Sequence, residues 1–297
     1  MTVIPEGIPK LLQALESEEY VADAAIATSL YLAQQLEKPL LIEGHAGVGK
    51  TEIAKVLARL LGTELIRLQC YEGLDASTAL YEWNYAKQLL HIRLQEKDGR
   101  SAKEAEAHIF GEEFLLKRPL LLAIRNGGRA PVLLVDEIDR SDEEFEAFLL
   151  EVLSDFQVSV PELGTLKAEK RPVVILTSNR SRELSDALRR RCLYLWIGYP
   201  SFAKELAIVR RKVPGASEAL TVQVVALVQH LRRLKLAKVP GVSESLDWAA
   251  ALLALHATHL SAQLVAETLG CAIKDESDLR KVEAELAAGR LPLGAGA

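Results

Sequence analysis

The pattern of apolar and polar positions alternates between short apolar runs and amphipathic segments as far as residue 198. Apolar runs of strand length occur at residues 40–42, 65–70, 132–136, 173–177 and 193–197. Segments with helical spacing occur before and between these runs, and Gly62 ends the helix that follows the first run. Because strands that alternate with helices form parallel sheets covered on both faces, the pattern predicts an α/β domain.

The strand signals stop after Gly198, Tyr199 and Pro200. Helical patterns then continue, including residues 222–234, 246–260 and 264–273. We therefore expect an α/β domain over residues 1–198 and a helical domain over residues 199–297.

Two segments depart from simple alternation. A long polar stretch, residues 71–117, carries helix signals but no buried strand, and it predicts an insert at about 71–118. Its aromatic residues either contact a substrate or pack the insert onto its domain, and the sequence leaves both readings open; they are Tyr81, Trp83 and Tyr85. Residues 158–166 predict a hairpin, and Ser141 with Glu144 predicts a capping box before a helix.

A glycine-rich segment follows the first predicted strand and fits the pattern G-x-x-x-x-G-K-[ST]. Glycines let the backbone bend around an anion, and amides at a helix N-terminus bind phosphate. The segment therefore predicts a nucleotide-binding loop made of Gly44, His45, Ala46, Gly47, Val48, Gly49, Lys50 and Thr51. We expect Lys50 to reach the β- and γ-phosphates of ATP and Thr51 to bind Mg²⁺.

The third predicted strand ends in two carboxylates, Asp136 and Glu137. Ligands of open α/β sheets bind at the C-terminal ends of the strands. We expect Asp136 to hold Mg²⁺ through the water shell of the ion, and Glu137 to polarise the water that attacks the γ-phosphate. Such a pair alone commonly caps a following helix, but together with the glycine loop it predicts ATP hydrolysis.

Two further signals lie at strand ends. Asn179 follows the fourth strand, where it either bridges the attacking water and the γ-phosphate or is an ordinary turn residue. Three arginines, Arg189, Arg190 and Arg191, precede the fifth strand. Such a run is usually a solvated face, but an arginine here could reach the γ-phosphate of a neighbouring subunit.

Composition narrows the function classes. The chain has 297 residues, 49% of them hydrophobic and 26% charged, which is enough for two domains with buried cores. A net charge of −5 disfavours nucleic acid as the main partner. Cys70, Cys192 and Cys271 lie far apart without a C-x-x-C pair, so we expect reduced thiols in the cytoplasm, no disulfide framework and no thiolate metal site.

The chain also lacks the signals of secretion or membrane insertion, because no secretory leader pattern and no long apolar stretch occur. A basic patch of Arg232, Arg233, Lys235 and Lys238 is either a solvated helix face or a peripheral contact with anionic lipid on the cytoplasmic membrane face.

These motifs, in this order, resemble those of an AAA+ ATPase. Residues 136–140, 148–151 and 156–158 are similar to the D-E-I-[ND]-R…LLE…QV run of MoxR-type AAA+ proteins. Residues 67–75 and 80–85 resemble the CoxD-like branch, whose members assist the maturation of carbon monoxide dehydrogenase. The resemblance covers nearly the whole chain.

The resemblance implies an α/β AAA+ P-loop NTPase with a central parallel sheet, a helix-2 insert and an all-α lid. It implies ATP hydrolysis to ADP and phosphate, with Asn179 as first sensor, Arg191 as the arginine acting in trans and Arg189 as second choice. Many relatives carry an arginine early in a lid helix, where this chain has Ser245. A serine does not replace a guanidinium, so that role stays unassigned.

The resemblance also implies partners. They are further copies of the chain in a hexameric ring, a von Willebrand factor A-domain adaptor, and a protein client, such as a molybdenum hydroxylase, whose metal cofactor is inserted with the help of this chaperone. The alternative is a nucleic-acid-associated AAA+ motor or clamp-loader-like ATPase, because the same core serves those functions.

Overall fold

The computed structural model describes residues 4–95, 110–160 and 163–293. These residues form two compact units. The first unit comprises residues 4–14, Ala24–Glu43 and Thr51–Leu195, and the second comprises Leu15–Asp23, Gly44–Lys50 and residues 196–293. The domain boundary expected at residue 198 stays a prediction.

The strands of the described residues form a five-stranded sheet and two small two-stranded sheets. They are β1 (Leu40–Gly44), β2 (Leu65–Gln69), β3 (Tyr81–Trp83), β4 (Leu115–Lys117), β5 (Val132–Asp136), β6 (Gln157–Val160), β7 (Gly164–Lys167), β8 (Val173–Ser178) and β9 (Leu193–Ile197). The central sheet has the order β2-β5-β8-β1-β9, and its pairs β2–β5, β5–β8 and β1–β8 are parallel. The predicted α/β fold with a central parallel sheet is confirmed.

Strands β1 and β5 are buried along their whole length, which explains the apolar runs at residues 40–42 and 132–135 within them. In the sheet, Gln69 of β2 pairs with Asp136 of β5, and Val135 of β5 pairs with Leu176 of β8. This register brings the C-terminal ends of three strands to one edge, where the chain carries its polar residues.

Helices precede, separate and follow these strands. They are α1 (Ile8–Ser17), α2 (Ala24–Gln35), α3 (Lys50–Leu61), α4 (Ala76–Leu80), α5 (Tyr85–Gln95), α6 (Pro119–Ile124), α7 (Glu143–Asp155), α8 (Asp186–Arg191), α9 (Phe202–Lys212), α10 (Glu218–Leu231), α11 (Val242–Ala254), α12 (Ala262–Thr268) and α13 (Glu276–Ala287). The capping box was misplaced by one residue: Asp142 caps α7 by accepting from the Phe145 N–H at 2.8 Å. The Ser141 hydroxyl instead donates to the carbonyl of Ile138.

The predicted insert contains a short antiparallel ladder of β3 and β4, so the expectation of no buried strand was wrong. Trp83 and Leu115, which face each other in this ladder, are buried. Strands of three residues are too short to show an alternating pattern, and their partners are far apart in sequence. Residues 96–109 of the insert lie outside the described residues.

Two of the three aromatic residues of the insert pack onto its domain. Trp83 packs edge-on against Phe110 with the ring centroids 5.4 Å apart, and Tyr81 packs against the same core. Tyr85 is 63% exposed. The packing reading therefore holds for Trp83 and Tyr81. The hairpin expected at 158–166 is confirmed by the antiparallel pairing of β6 with β7.

Helices α9 to α13 pack around a core of their own in the second unit. Within it the Trp248 indole N–H donates to the Thr268 hydroxyl at 2.9 Å. Ser201 and Ser217 cap α9 and α10 through their hydroxyls, which explains where these helices begin. The described part of the chain contains no helix long and apolar enough to cross a bilayer.

Candidate functional site

The glycine loop at the end of β1 folds over the side chain of Lys50. Lys50 begins α3, and its Nζ donates to the carbonyl oxygens of Gly44 at 2.8 Å and His45 at 2.7 Å. Gly47 and Gly49 have φ angles of +73° and +91°, a region that residues with a Cβ rarely adopt. The two glycines therefore let the loop curl around the Lys50 ammonium group.

The same loop contacts the start of helix α11 within the second unit. The Gly47 carbonyl accepts from the Val242 N–H at 2.8 Å and the Ser243 N–H at 3.1 Å. A Cβ on Gly47 would lie 2.4 Å from Ser243 Oγ, and one on Gly241 would lie 2.8 Å from the Ala46 carbonyl oxygen. The contact therefore requires glycine at positions 47 and 241.

The loop also contacts the rest of the second unit through the aromatic ring of His45. The His45 ring stacks on Tyr199 with the centroids 4.6 Å apart, and the Arg232 guanidinium lies 4.8 Å from the centroid of Tyr199. Arg232 makes two hydrogen bonds of 2.6 Å to Glu205, which also accepts from the Ser245 hydroxyl at 2.5 Å. Ser245 thus helps to hold the carboxylate that binds a lid arginine.

This arrangement removes Arg232 from the basic surface patch suggested by the sequence. Its side chain is only 6% exposed. The sequence pattern was misleading because Arg232 lies next to Arg233 at the C-terminal end of α10, and only packing distinguishes the two side chains.

Asp136 is the centre of a buried hydrogen-bond cluster in the first unit. The Thr51 hydroxyl donates to it at 3.0 Å, and the Thr177 hydroxyl donates at 2.5 Å. Arg67 donates to the same carboxylate from Nε at 3.0 Å and from Nη2 at 2.6 Å. The two residues expected to bind Mg²⁺, Thr51 and Asp136, are therefore in direct contact, and their oxygens are the ligand type that Mg²⁺ prefers.

Glu137 has a left-handed backbone with φ +56°, which is uncommon for a residue other than glycine. Its N–H donates to the Thr177 hydroxyl at 2.9 Å. The Asn179 amide donates to Oε1 at 3.2 Å, and the Gln69 amide donates to Oε2 at 3.0 Å. An amide from β2, an amide from the residue after β8 and the Arg140 guanidinium, 3.3 Å from Oε2, therefore contact this carboxylate.

Sequence reasoning missed Arg67, Gln69 and Thr177 as members of the site. The available signal was that Arg67 and Gln69 are polar at alternate positions of an otherwise apolar strand. Their meaning depends on the pairing of β2 with β5, which the sequence does not contain.

The arginines before β9 differ in their surroundings. Arg189 lies 3.4 Å from Glu43, a buried carboxylate that also accepts from the Tyr194 hydroxyl at 3.0 Å. Arg191 ends α8, is exposed, and has no ion-pair partner within the described residues. Of the three arginines, only Arg189 forms an ion pair with β1, the strand that precedes the glycine loop, within the described residues.

A parallel sheet with a glycine loop after one strand and an aspartate bonded to the loop helix after another defines a P-loop nucleoside triphosphatase. The chain belongs to the family described as "AAA domain (dynein-related subfamily)", which matches residues 39–192, just over half of the chain. It is an AAA+ ATPase of the MoxR-like type. AAA+ ATPases bind nucleotide with Mg²⁺ and typically assemble into oligomers.

Two curated relatives are about one quarter identical to this chain over the residues that align. The denitrification regulatory protein NirQ of Stutzerimonas stutzeri is 26% identical over 213 residues, which cover 68% of this chain and 66% of NirQ. NirQ of Pseudomonas aeruginosa is 25% identical over 204 residues, which cover 66% of this chain and 68% of NirQ. The alignment thus spans just under two thirds of the first relative.

Solved structures confirm the fold. Two variants of RuvB from Thermotoga maritima align with TM-scores of 0.51 at 16% and 15% identity. The alignments cover 98% and 97% of this chain and 81% of each RuvB chain. RuvB is a Holliday junction branch migration motor. Because a fold does not determine a substrate, this similarity does not decide between a protein remodeller and a nucleic-acid motor.

Proposed function

We propose that this protein is a ring-forming AAA+ remodeller that hydrolyses ATP to open another protein for metal-cofactor insertion. The observation that carries the catalytic part is the Glu137 carboxylate, which is held between the Asn179 and Gln69 amides. It lies next in the chain to Asp136, which is bonded to Thr51. Such an arrangement suits a base that activates water beside bound phosphate.

In this proposal Lys50 binds the β- and γ-phosphates, exchanging its carbonyl partners for phosphate oxygens. Thr51 and Asp136 hold Mg²⁺, which supplies charge neutralisation when it is bound. Glu137 accepts a proton from water as the water oxygen bonds to the γ-phosphorus. The bond between that phosphorus and the bridging oxygen of ADP breaks, and Asn179 orients the attacking water.

The proposed site is completed by an arginine of a neighbouring subunit in a hexameric ring. Arg191 suits this role because it is exposed and has no ion-pair partner within the described residues. Arg189 suits it less because Glu43 holds its guanidinium within its own subunit. A guanidinium that enters from outside neutralises charge that develops in the transition state.

The proposed client is a molybdenum hydroxylase of the carbon monoxide dehydrogenase type. Support comes from residues 67–75 and 80–85, which resemble the CoxD-like branch. A close-packed enzyme buries its metal centre, so late insertion needs an opened conformer that ATP hydrolysis can help to populate. We propose a von Willebrand factor A-domain adaptor, with residues 71–117 as its contact surface, and action in the cytoplasm or on the cytoplasmic membrane face.

The client is tested by deleting the gene for this protein and purifying the hydroxylase from the deletion strain. We expect the hydroxylase to be synthesised and folded but to contain an incomplete metal centre by elemental analysis. Wild-type protein supplied in trans should restore the metal content, whereas Glu137→Gln should not. A full complement of metal with normal specific activity in the deletion strain would contradict this client and leave the ATPase unaffected.

A further inference from the structure

One buried carboxylate of the first unit has no role in the scheme above. Asp139 is 2% exposed and lies in the short helical turn Ile138–Arg140 that follows Glu137. Its Oδ1 accepts from the Asn179 backbone N–H at 3.1 Å. Its Oδ2 accepts from the Ser181 backbone N–H at 2.8 Å and from the Ser181 hydroxyl at 2.7 Å. A single side chain thus binds three donors of the segment after β8.

The segment that Asp139 binds has a strained backbone. Arg180 lies between the two bonded residues and has φ +60°, a left-handed conformation that costs roughly 1–3 kcal/mol for a residue with a Cβ. Such a conformation persists only where surrounding bonds hold it. The bonds from Asp139 to residues 179 and 181 hold the backbone on both sides of Arg180.

The same segment carries the side chain that contacts the proposed base. The Asn179 amide donates to Glu137 Oε1 at 3.2 Å. Glu137 and Asp139 belong to one turn, and this turn binds the segment at two places. Asp139 accepts from backbone N–H groups of the segment, and Glu137 accepts from the Asn179 side chain. The distance between the Asn179 amide and the Glu137 carboxylate therefore depends on Asp139.

The chemistry of Asp139 suits this task because its two carboxylate oxygens accept all three donors. Alanine at position 139 would remove all three acceptors at once. The backbone of residues 179–181 would then lose the bonds that fix it beside the turn, so the segment would move.

We propose that Asp139 is a positioning residue for ATP hydrolysis, which sets the place of Asn179 against Glu137 without touching the substrate. The inference rests on the role proposed above for Asn179. A displacement of about 1 Å in a catalytic constellation can cost about 100-fold in rate. Asp139→Ala should therefore slow hydrolysis about 10- to 100-fold while changing nucleotide affinity less than about twofold.

The test uses the assembled full-length protein and single-turnover hydrolysis at saturating ATP. Asn179→Ala, Asp139→Ala and the double variant are compared, together with nucleotide affinity and thermal unfolding. If Asp139 acts through Asn179, the double variant should be no slower than the slower single variant, because the amide to be positioned is already absent. A merely structural residue would instead slow both backgrounds by the same factor.

Asp278→Ala is the matched control. Asp278 is also buried and also accepts from two backbone N–H groups, those of Ala237 at 2.9 Å and Lys238 at 2.8 Å, but in the second unit. The Asp278 variant should have a lower unfolding temperature than the wild type and an unchanged single-turnover rate. If Asp139→Ala does not fold, Ser181→Ala replaces it, because Ser181→Ala removes one of the three donors and should slow hydrolysis by a smaller factor.

Three outcomes would overturn the inference. Wild-type hydrolysis by Asp139→Ala would overturn it, as would wild-type hydrolysis by Ser181→Ala where Asp139→Ala does not fold. In either case a slow Asn179→Ala would leave the proposed site intact. A double variant whose loss in hydrolysis rate equals the product of the two single-variant losses would also overturn the inference and leave the proposed site intact. Wild-type hydrolysis by Asn179→Ala would overturn both the inference and the proposed role of Asn179.

Discussion

Arg67 of β2 donates two hydrogen bonds to Asp136 of the neighbouring strand β5, from Nε at 3.0 Å and from Nη2 at 2.6 Å. Asp136 is the residue proposed to hold Mg²⁺. One of its two carboxylate oxygens, Oδ2, already binds the Arg67 guanidinium. Half of the Arg67 side chain is exposed, so solvent screens the pair and its contribution is of the size of a surface ion pair.

Removing this cation should make Asp136 more available to the metal. We expect Arg67→Met to lower the Mg²⁺ concentration for half-maximal ATPase activity about two- to fivefold, which corresponds to about 0.4–1 kcal/mol. A Mg²⁺ titration at saturating ATP measures this. Arg171→Met, which removes an exposed ion pair to Glu37, is the control and should not shift the midpoint. A higher midpoint in Arg67→Met would mean that Arg67 orients Asp136 and does not compete with the metal.

Binding and hydrolysis should separate between two variants. Lys50→Ala should weaken nucleotide binding because it removes a direct charge contact to phosphate, whereas Glu137→Gln should keep binding and lose turnover. Equilibrium binding of a labelled nucleotide and steady-state hydrolysis measure the two effects. Hydrolysis by Glu137→Gln at the wild-type rate would show that another group activates the water.

Activity should belong to the assembly. Arg191→Ala alone should lose about 10³- to 10⁵-fold in rate if its guanidinium acts in trans. Mixing Arg191→Ala with Lys50→Ala subunits should restore part of the activity, because an intact loop then faces an intact arginine. Mixtures with Arg189→Ala serve as the comparison. No recovery in mixed rings that are known to form would exclude Arg191 from this role.

Two of the three thiols should resist alkylation in the folded protein. Burial and the nearby carboxylates of Asp136, Asp139 and Glu137 raise the pKa of Cys70 to about 12, and burial raises the pKa of Cys192 to about 12. At pH 8 only about one such thiol in 10⁴ is ionised, and the thiolate is the reactive form. Iodoacetamide followed by mass spectrometry should find both unmodified until the protein is unfolded in urea. Rapid native labelling of Cys70 would mean that the end of β2 opens.

Asp278 should give the second unit a pH-dependent stability. The N–H groups of Lys238 and Ala237 hold the pKa of this carboxyl below its ordinary value of 3.8. Since the folded-state pKa is the lower one, its contribution is present above about pH 4 and is lost as the pH falls through the folded pKa. Denaturant unfolding at pH 7 and at pH 3 should show wild type more stable than Asp278→Asn at pH 7, with the difference shrinking at pH 3. A difference that is constant with pH would contradict this.

Much of the fold could be predicted because its signals are local. Val132–Asp136 has the predicted bounds, since a buried parallel strand needs an unbroken apolar run that the sequence displays directly. Leu193–Ile197, which is only partly buried, has the predicted bounds as well. The paired strands β3 and β4 could not be predicted, because each is three residues long and gains its stability from a partner more than 30 positions away. The cap of α7 was missed because Ser141 and Asp142 both fit the local rule, and backbone geometry chose Asp142.

By itself the sequence determined the α/β fold, the ATPase class and the residues of its motifs, because a glycine loop and a strand that ends in two carboxylates need only short-range order. Tertiary structure alone decided the contacts of those residues. Strand order placed Arg67 and Gln69 beside Asp136 and Glu137, and chain folding gave Asp139 the backbone of residues 179–181 as its partner. Packing also buried Arg232 against Glu205. The physical reason is that pairing between strands and burial of charge depend on residues that are distant in sequence.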